Sequence, residues 1–326
     1  MPLAYDVAES TISYEALRGL VTDGCQAFRS QATFGAMDLE RIVACIDDLR
    51  SMPSARLATV GAVASMTANT AVRVDVDMDL PHAVALGEAL SARSIPATFY
   101  LLHTAGYYGW VQVGRFERHE IVAADYLRLA ACGEVGLHLD PFGLYETHGL
   151  DGLAAVRVEL DWLRSLGIEL DGVSAHNAAP VHGRENFEVF DDWAFDPIDG
   201  FEPQVEPLVG QLNAAQLGVA YLAGSPTAGS GGTAARAYLT ESTPGATLQD
   251  EAWMRTYLHD APYCRWGDDV RVWLIGDDRW IISSDSLDGE PVWEFDVDWA
   301  TVRTCIAART ADQSVIVTVH PIYIST

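Results

Sequence analysis

The sequence predicts an α/β fold, organised as one barrel-like domain with a helical extension at its N-terminus. Three observations carry this. Short β-rich apolar runs alternate with amphipathic helical stretches between residues 70 and 180, the order expected of parallel βαβ units. Hydrophobic residues make up 49% of the 326 and charged residues 20%, enough apolar material for a large core. Two of the helical stretches stop at a glycine, Gly133 and Gly167, as helices before a strand commonly do.

Taken in order, residues 1–50 are expected to be largely helical. In "DLERIVACIDDLRSM" (38–52), Leu39, Ile42, Val43, Ile46 and Leu49 fall on one stripe. The first strand is expected at 71–77, within "AVRVDVDMDLPHA". There Asp75, Asp77 and Asp79 alternate with Val74, Val76 and Met78. Pro81 suits the first turn of the helix that follows. "IPATFYLLH" (95–103) is the second strand, "HEIVAADYLRLAACG" a helix ended by Gly133, and "EVGLHLD" (134–140) the third strand. "GLAAVRVELDWLRSLG" (152–167) is a helix and "LDGVSAH" (170–176) the fourth strand. Later strands are expected at 270–276, 279–285 and 314–321. "AGSPTAGSGG" (223–232) has the composition of a loop, and "ISSDSLDGEPVW" (282–293) is expected to turn. The boundaries are 1–65 for the extension and 66–326 for the main domain, with an insertion around 200–265.

The net charge is −26, which argues against nucleic acid and anionic membranes as partners. Cys25, Cys45, Cys132, Cys264 and Cys305 are scattered without a CxxC pair, the pattern of free thiols in a reducing compartment. The N-terminal segment shows no basic region followed by an apolar one, and no apolar run reaches the ~18 residues of a membrane span. The expected location is the cytoplasm, and the expected partner a small-molecule or carbohydrate substrate. The oligomeric state is not readable.

The chemistry gathers at predicted strand ends, where parallel α/β folds place their active groups. Asp75 and Asp77 close the first strand, His138 and Asp140 the third, His176 the fourth and His320 the last. Adjacent carboxylates repel unless a cation sits between them, so a divalent ion is the simplest common cause. A carboxylate with two imidazoles and an open position suits Zn²⁺ or another first-row ion engaged in hydrolysis. Asp79 reads as a helix cap or a solvated charge. His103, His119 and His148 read as structural or surface residues, with His182 a weaker substitute for His176. Most of the nine tryptophans read as core.

The ordered set "VRVDVD", "IPATFYLL", "GEVGLHLD" and "VTVHP" resembles the polysaccharide deacetylase family (NodB homology, carbohydrate esterase family 4) over roughly 70–180 and 270–321. The resemblance implies a distorted (β/α)7 barrel and metal-dependent removal of an N-acetyl group from an amino sugar or sugar-like molecule. It implies Asp75 as general base, Asp77 and His138 as metal ligands, and His320 as general acid. The roles of the two aspartates are exchangeable, because the family's adjacent Asp-Asp pair is absent. The family's second metal histidine lies four residues after the first, where this chain has Phe142. His176, in "SAHNAAP", is the expected third ligand, with His182 or His148 the alternatives. Two other readings remain: hydrolysis of another C–N bond, in a cyclic amide or ureide, and a non-catalytic carbohydrate-binding barrel.

Overall fold

The computed structural model describes residues 2–31, 35–53, 55–176, 186–190, 212–223, 270–287, 290–310 and 313–325. In chain order they form β1 (Val7–Glu9), α1 (Tyr14–Gln31), β2 (Met37–Asp38), α2 (Leu39–Leu49), β3 (Leu57–Ala58), α3 (Val60–Ala64), β4 (Thr70–Val76) and α4 (Leu80–Ala92). Next come β5 (Thr98–Leu102), β6 (Gly109–Gln112), β7 (Arg115–Arg118), α5 (Ala123–Cys132), β8 (Glu134–Leu139), α6 (Pro141–His148), α7 (Gly152–Ser165) and β9 (Gly172–Ala175). The remainder are α8 (Ala214–Leu217), β10 (Tyr221–Ala223), β11 (Val270–Gly276), β12 (Arg279–Leu287), β13 (Glu290–Val297), α9 (Trp299–Ala308), β14 (Val315–Val319) and β15 (Ile324–Ser325).

The fold is mixed α/β around one large sheet in the order β10-β9-β8-β5-β4-β14-β11-β12-β13, with β3 paired to the start of β4. Every pairing from β10 to β11 is parallel, and β12 and β13 then add as antiparallel strands. Outward from β4, the strands follow chain order through β5, β8, β9 and β10 on one side. On the other side β14 and β11 run in reverse chain order. The first long parallel strand is therefore bonded to the last.

The side-chain period of two splits the sheet into two unlike faces. Val72, Val74 and Val76 join Phe99, Leu101, Leu137, Val173 and Val317 in the main core, which the helices cover. The opposite face of β4 carries Ala71, Arg73 and Asp75. There Tyr100, Ala71, Ile316 and Val60 form a separate small cluster. All seven residues of β4 are buried, so both faces are closed to water. Glycines make room on this second face. A Cβ at Gly136 would lie 2.7 Å from the Tyr100 ring, and one at Gly172 would lie 2.0 Å from that of Tyr221.

The expected strands at 71–77, 95–103, 134–140, 170–176, 270–276, 279–285 and 314–321 correspond to β4, β5, β8, β9, β11, β12 and β14; β11 has the expected bounds, β4 is shifted by one residue, β12 runs two residues further, and the others are shorter. The extension contains α1 and α2 as expected. It also contributes strands: β1 pairs with β7, β2 with the C-terminal β15, and β3 with β4. Leu17, Ile42, Val43, Ile46 and Leu49 lie in the same core as the sheet. Where the stretch 282–293 is expected to turn, its described residues are strand instead: β12 runs on to Leu287 and β13 starts at Glu290. Most of the expected loop at 223–232 and of the insertion at 200–265 lies outside the described residues.

Candidate functional site

Parallel pairing sends the carboxyl ends of β4, β5, β8, β9 and β14 to one edge of the sheet. Asp75 lies inside β4, and Asp77 follows its last residue. His138 lies in β8 with Asp140 just beyond it, His176 follows β9, and His320 follows β14. Lateral register aligns them: Asp75 opposes Tyr100, Leu102 opposes His138, and His138 opposes Ser174. The three alternating aspartates do not share one face, because the strand stops at Val76. Asp79 instead caps α4, accepting from the His82 backbone N–H and pairing with Arg29 at 2.9 Å.

Asp75 is buried against Arg73, two residues earlier on the same face of the strand, with Nε donating to Oδ1 at 2.6 Å. Burial alone would raise the Asp75 pKa. Arg73 overcomes it, with help from His138 and His320, and holds the carboxyl well below the usual carboxylate range. The guanidinium itself rests 5.1 Å from the centre of the Tyr100 ring.

His138 is equally buried. Its Nδ1 lies 3.1 Å from the Ser174 carbonyl oxygen, which can only accept, so Nδ1 carries the hydrogen. Burial pushes the ring down to about 4, against the pull of Asp75 and Asp77, so at neutral pH Nε2 is a bare lone pair. That lone pair faces Asp75 Oδ2 and Asp77 Oδ1, each at 3.7 Å. Asp77 Oδ1 is buried and has no hydrogen-bond partner. From the β14 side, His320 Nε2 stands 3.5 Å from Asp77 Oδ2 and 3.9 Å from Asp75 Oδ2. Bare acceptors facing one another repel unless a cation lies between them.

A second knot of polar groups adjoins the first. Asp140 Oδ1 accepts from Gly143 N at 3.0 Å and Asn186 Nδ2 at 2.7 Å, while Oδ2 accepts from Thr104 Oγ1 at 2.9 Å. His176 Nδ1 lies 3.7 Å from Asp140 Oδ2. The His176 ring meets His138 edge-on, with centroids 5.2 Å apart. Burial opposes charge on His176, but Asp140, with Asp77 and Asp75, outweighs it and lifts the pKa to about 9.

The structure thus brings Asp75, Asp77, His138 and His320 together, with His176 beside His138. His148 is exposed at the end of α6, away from this cluster, and His182 lies outside the described residues. His103 is fully buried, its Nε2 accepting from the Asp140 backbone N–H at 2.7 Å. Phe142, four residues after His138, is a core residue whose backbone N–H donates to Asn186 Oδ1 at 3.0 Å. Among the described tryptophans, Trp280 and Trp299 are core residues.

Sequence reasoning missed three participants. Arg73 had a signal, because a cation at i−2 on a strand shares a face with Asp75. Asp140 was noted only as a strand-end carboxylate, and Asn186 carried no local signal.

Among the described residues, no three His, Cys, Asp or Glu side chains already stand as a cage around one point. The donors nevertheless fit a divalent ion in kind. The 3.5–3.9 Å separations exceed a hydrogen bond. They approach the roughly 3.3 Å between two ligands on one tetrahedral ion. No protein-family model, curated protein or solved structure matches the chain.

Proposed function

We propose that the protein is a metal-dependent hydrolase of C–N bonds, removing an N-acetyl group from an amino sugar or sugar-like small molecule. The observation that carries this reading is the bare His138 Nε2 facing Asp75 and the unpartnered oxygen of Asp77. Carboxylates and a neutral imidazole turned toward one another, without a proton between them, are what a divalent cation requires.

Asp77, His138 and His176 would hold the ion, Zn²⁺ or another first-row metal, which would polarise the acyl oxygen and make its water acidic. Arg73 keeps Asp75 ionised, and so able to accept a proton from the attacking water. His320 approaches the aspartates from the β14 side, opposite His138, and delivers a proton to the leaving amine. Each contribution of this kind lowers the barrier by several kcal/mol.

The same reading takes the sheet as a distorted (β/α)7 barrel of the polysaccharide deacetylase type. Two features support closure. The parallel strands follow the order of a ring cut between β10 and β11. The face bearing Asp75 is buried and lined by residues small enough to sit inside a barrel, including Gly136, Gly172 and Ser174. No described helix is long and apolar enough to cross a membrane, and the scattered cysteines support a cytoplasmic location.

The test is to incubate the Zn²⁺-supplemented protein with N-acetylated amino sugars and nucleotide sugars and to measure acetate and free amine. Acetate release that is lost in Asp75→Asn and in His320→Ala is expected. A ring-opened acid from a cyclic amide or ureide, without acetate, would move the assignment to that substrate class. Zn²⁺-supplemented protein that takes up no metal and turns over no substrate would leave a non-catalytic barrel.

A further inference from the structure

We propose that Asp140 is a positioning residue that fixes His176, so that its Nε2 is presented to the ion and its Nδ1 keeps the hydrogen. The inference rests on the metal reading above. A histidine that ligates through one nitrogen is oriented by an acceptor on the other, most often a carboxylate or a backbone carbonyl. His138 already has such a partner in the Ser174 carbonyl, which leaves Nε2 turned to the aspartates. His176 lies one strand over. Its Nδ1 is buried without a hydrogen-bond partner, and the nearest carboxylate oxygen is Asp140 Oδ2 at 3.7 Å.

Asp140 is built to hold still. It is 4% exposed, and Thr104, Asn186 and the Gly143 backbone all donate to its carboxylate. Its own backbone N–H donates to the buried His103 Nε2. Asn186 ties the carboxylate to the His176 main chain, because its Nδ2 donates both to Asp140 Oδ1 and to the His176 carbonyl oxygen at 2.6 Å. The His176 N–H donates to Leu139 O, next to Asp140, at 2.9 Å. The Asp140 carboxylate and the backbone that carries the His176 ring are thus held in one hydrogen-bonded unit.

The test uses the full chain and Zn²⁺ alone. Asp140→Asn keeps an acceptor oxygen for the Gly143 N–H, so the start of α6 stays capped. Calorimetric titration is expected to show a Kd for Zn²⁺ about 10–100-fold weaker in Asp140→Asn. Asp151→Asn, at the cap of α7, is expected to match the unaltered protein. Nitrogen-15 spectra of the unaltered, Zn²⁺-loaded protein are expected to show His176 protonated at Nδ1 and metal-bound at Nε2. This second measurement needs no variant to fold. Folded Asp140→Asn that binds within twofold of the unaltered protein, or a His176 bound through Nδ1, overturns the inference and leaves the metal reading standing. No stoichiometric Zn²⁺ binding by the unaltered protein overturns both.

Discussion

Glu159 and Asp77 are acidic residues of the same protein with opposite fates. Glu159, in α7, is fully buried and accepts four hydrogen bonds: Tyr5 OH at 2.8 Å, Tyr108 OH at 3.0 Å, and Arg118 Nε and Nη2 at 2.8 Å each. Arg118 also lies 4.3 Å from the centre of the Trp162 ring. This closed knot pins the β6–β7 hairpin and the N-terminal segment onto α7. Asp77 is only partly exposed, at 22%, yet its buried oxygen has no donor and faces a histidine lone pair. A buried carboxylate whose acceptors are all used is structural. One left open beside a second carboxylate and two imidazoles is what the proposed cation would complete.

The largest effect expected from this contrast is on stability. Glu159→Ala leaves the buried Arg118 guanidinium with only the Glu120 carboxylate, 3.3 Å from Nη1, as a partner, and is expected to cost about 3–5 kcal/mol in denaturant titration. Zn²⁺ affinity of the fraction that folds is expected to be unchanged. Equal stability would mean that the knot is incidental. Tyr108→Phe removes one of the four donors to a charged acceptor, and should cost about 1.5–3 kcal/mol in the same titration.

His119 sharpens the comparison, because it is buried with both ring nitrogens unpartnered. It packs edge-on against Trp110, with centroids 4.1 Å apart, as an apolar ring would. Burial pushes its pKa down to about 4, with only Glu117 pulling the other way. The unfolded chain takes up this proton near pH 6.5, whereas the folded chain does so only near 4. Its contribution is therefore fully present above the unfolded value and is lost as pH falls from about 6.5 to about 4. His119→Phe should match the unaltered protein at pH 7 and exceed it by about 1 kcal/mol at pH 4.5. An unchanged difference between the two pH values would show that His119 is hydrated.

The smallest effect is expected where function is assigned. Asp77→Asn removes one of two facing negative charges. The metal-free protein should keep its stability within about 0.5 kcal/mol, or gain, while losing Zn²⁺ binding. A loss like that of Glu159→Ala would make Asp77 another structural carboxylate.

What could be read from the sequence follows from how far each signal reaches along the chain. The strands bearing Asp75, His138, His176 and His320 were legible, because each is an apolar β-rich run ending in a chemically distinctive residue. The β6–β7 hairpin was not. Its strands are four residues each, and its turn is Val113-Gly114, with φ of 50° and 73°, rather than Asn-Gly or Asp-Gly. Helix α6 escaped notice because Pro141, Phe142, Gly143 and Leu144 are all buried, leaving no polar face to mark its period. The alternation of Asp75, Asp77 and Asp79 outruns the strand that it suggests. The strand ends after Asp75 and Val76, and Asp79 turns to cap α4. The union of Asp140 with Asn186 and His176 is tertiary, joining groups 36 and 46 residues apart, and no local pattern encodes it.

The central claim is that these strand-end carboxylates and imidazoles share one divalent ion. Calorimetric titration of the full-length, metal-stripped protein with Zn²⁺ tests it directly. The account predicts one ion per chain, with binding abolished in Asp77→Ala and in His138→Ala. Absence of binding, or binding indifferent to both substitutions, would contradict it.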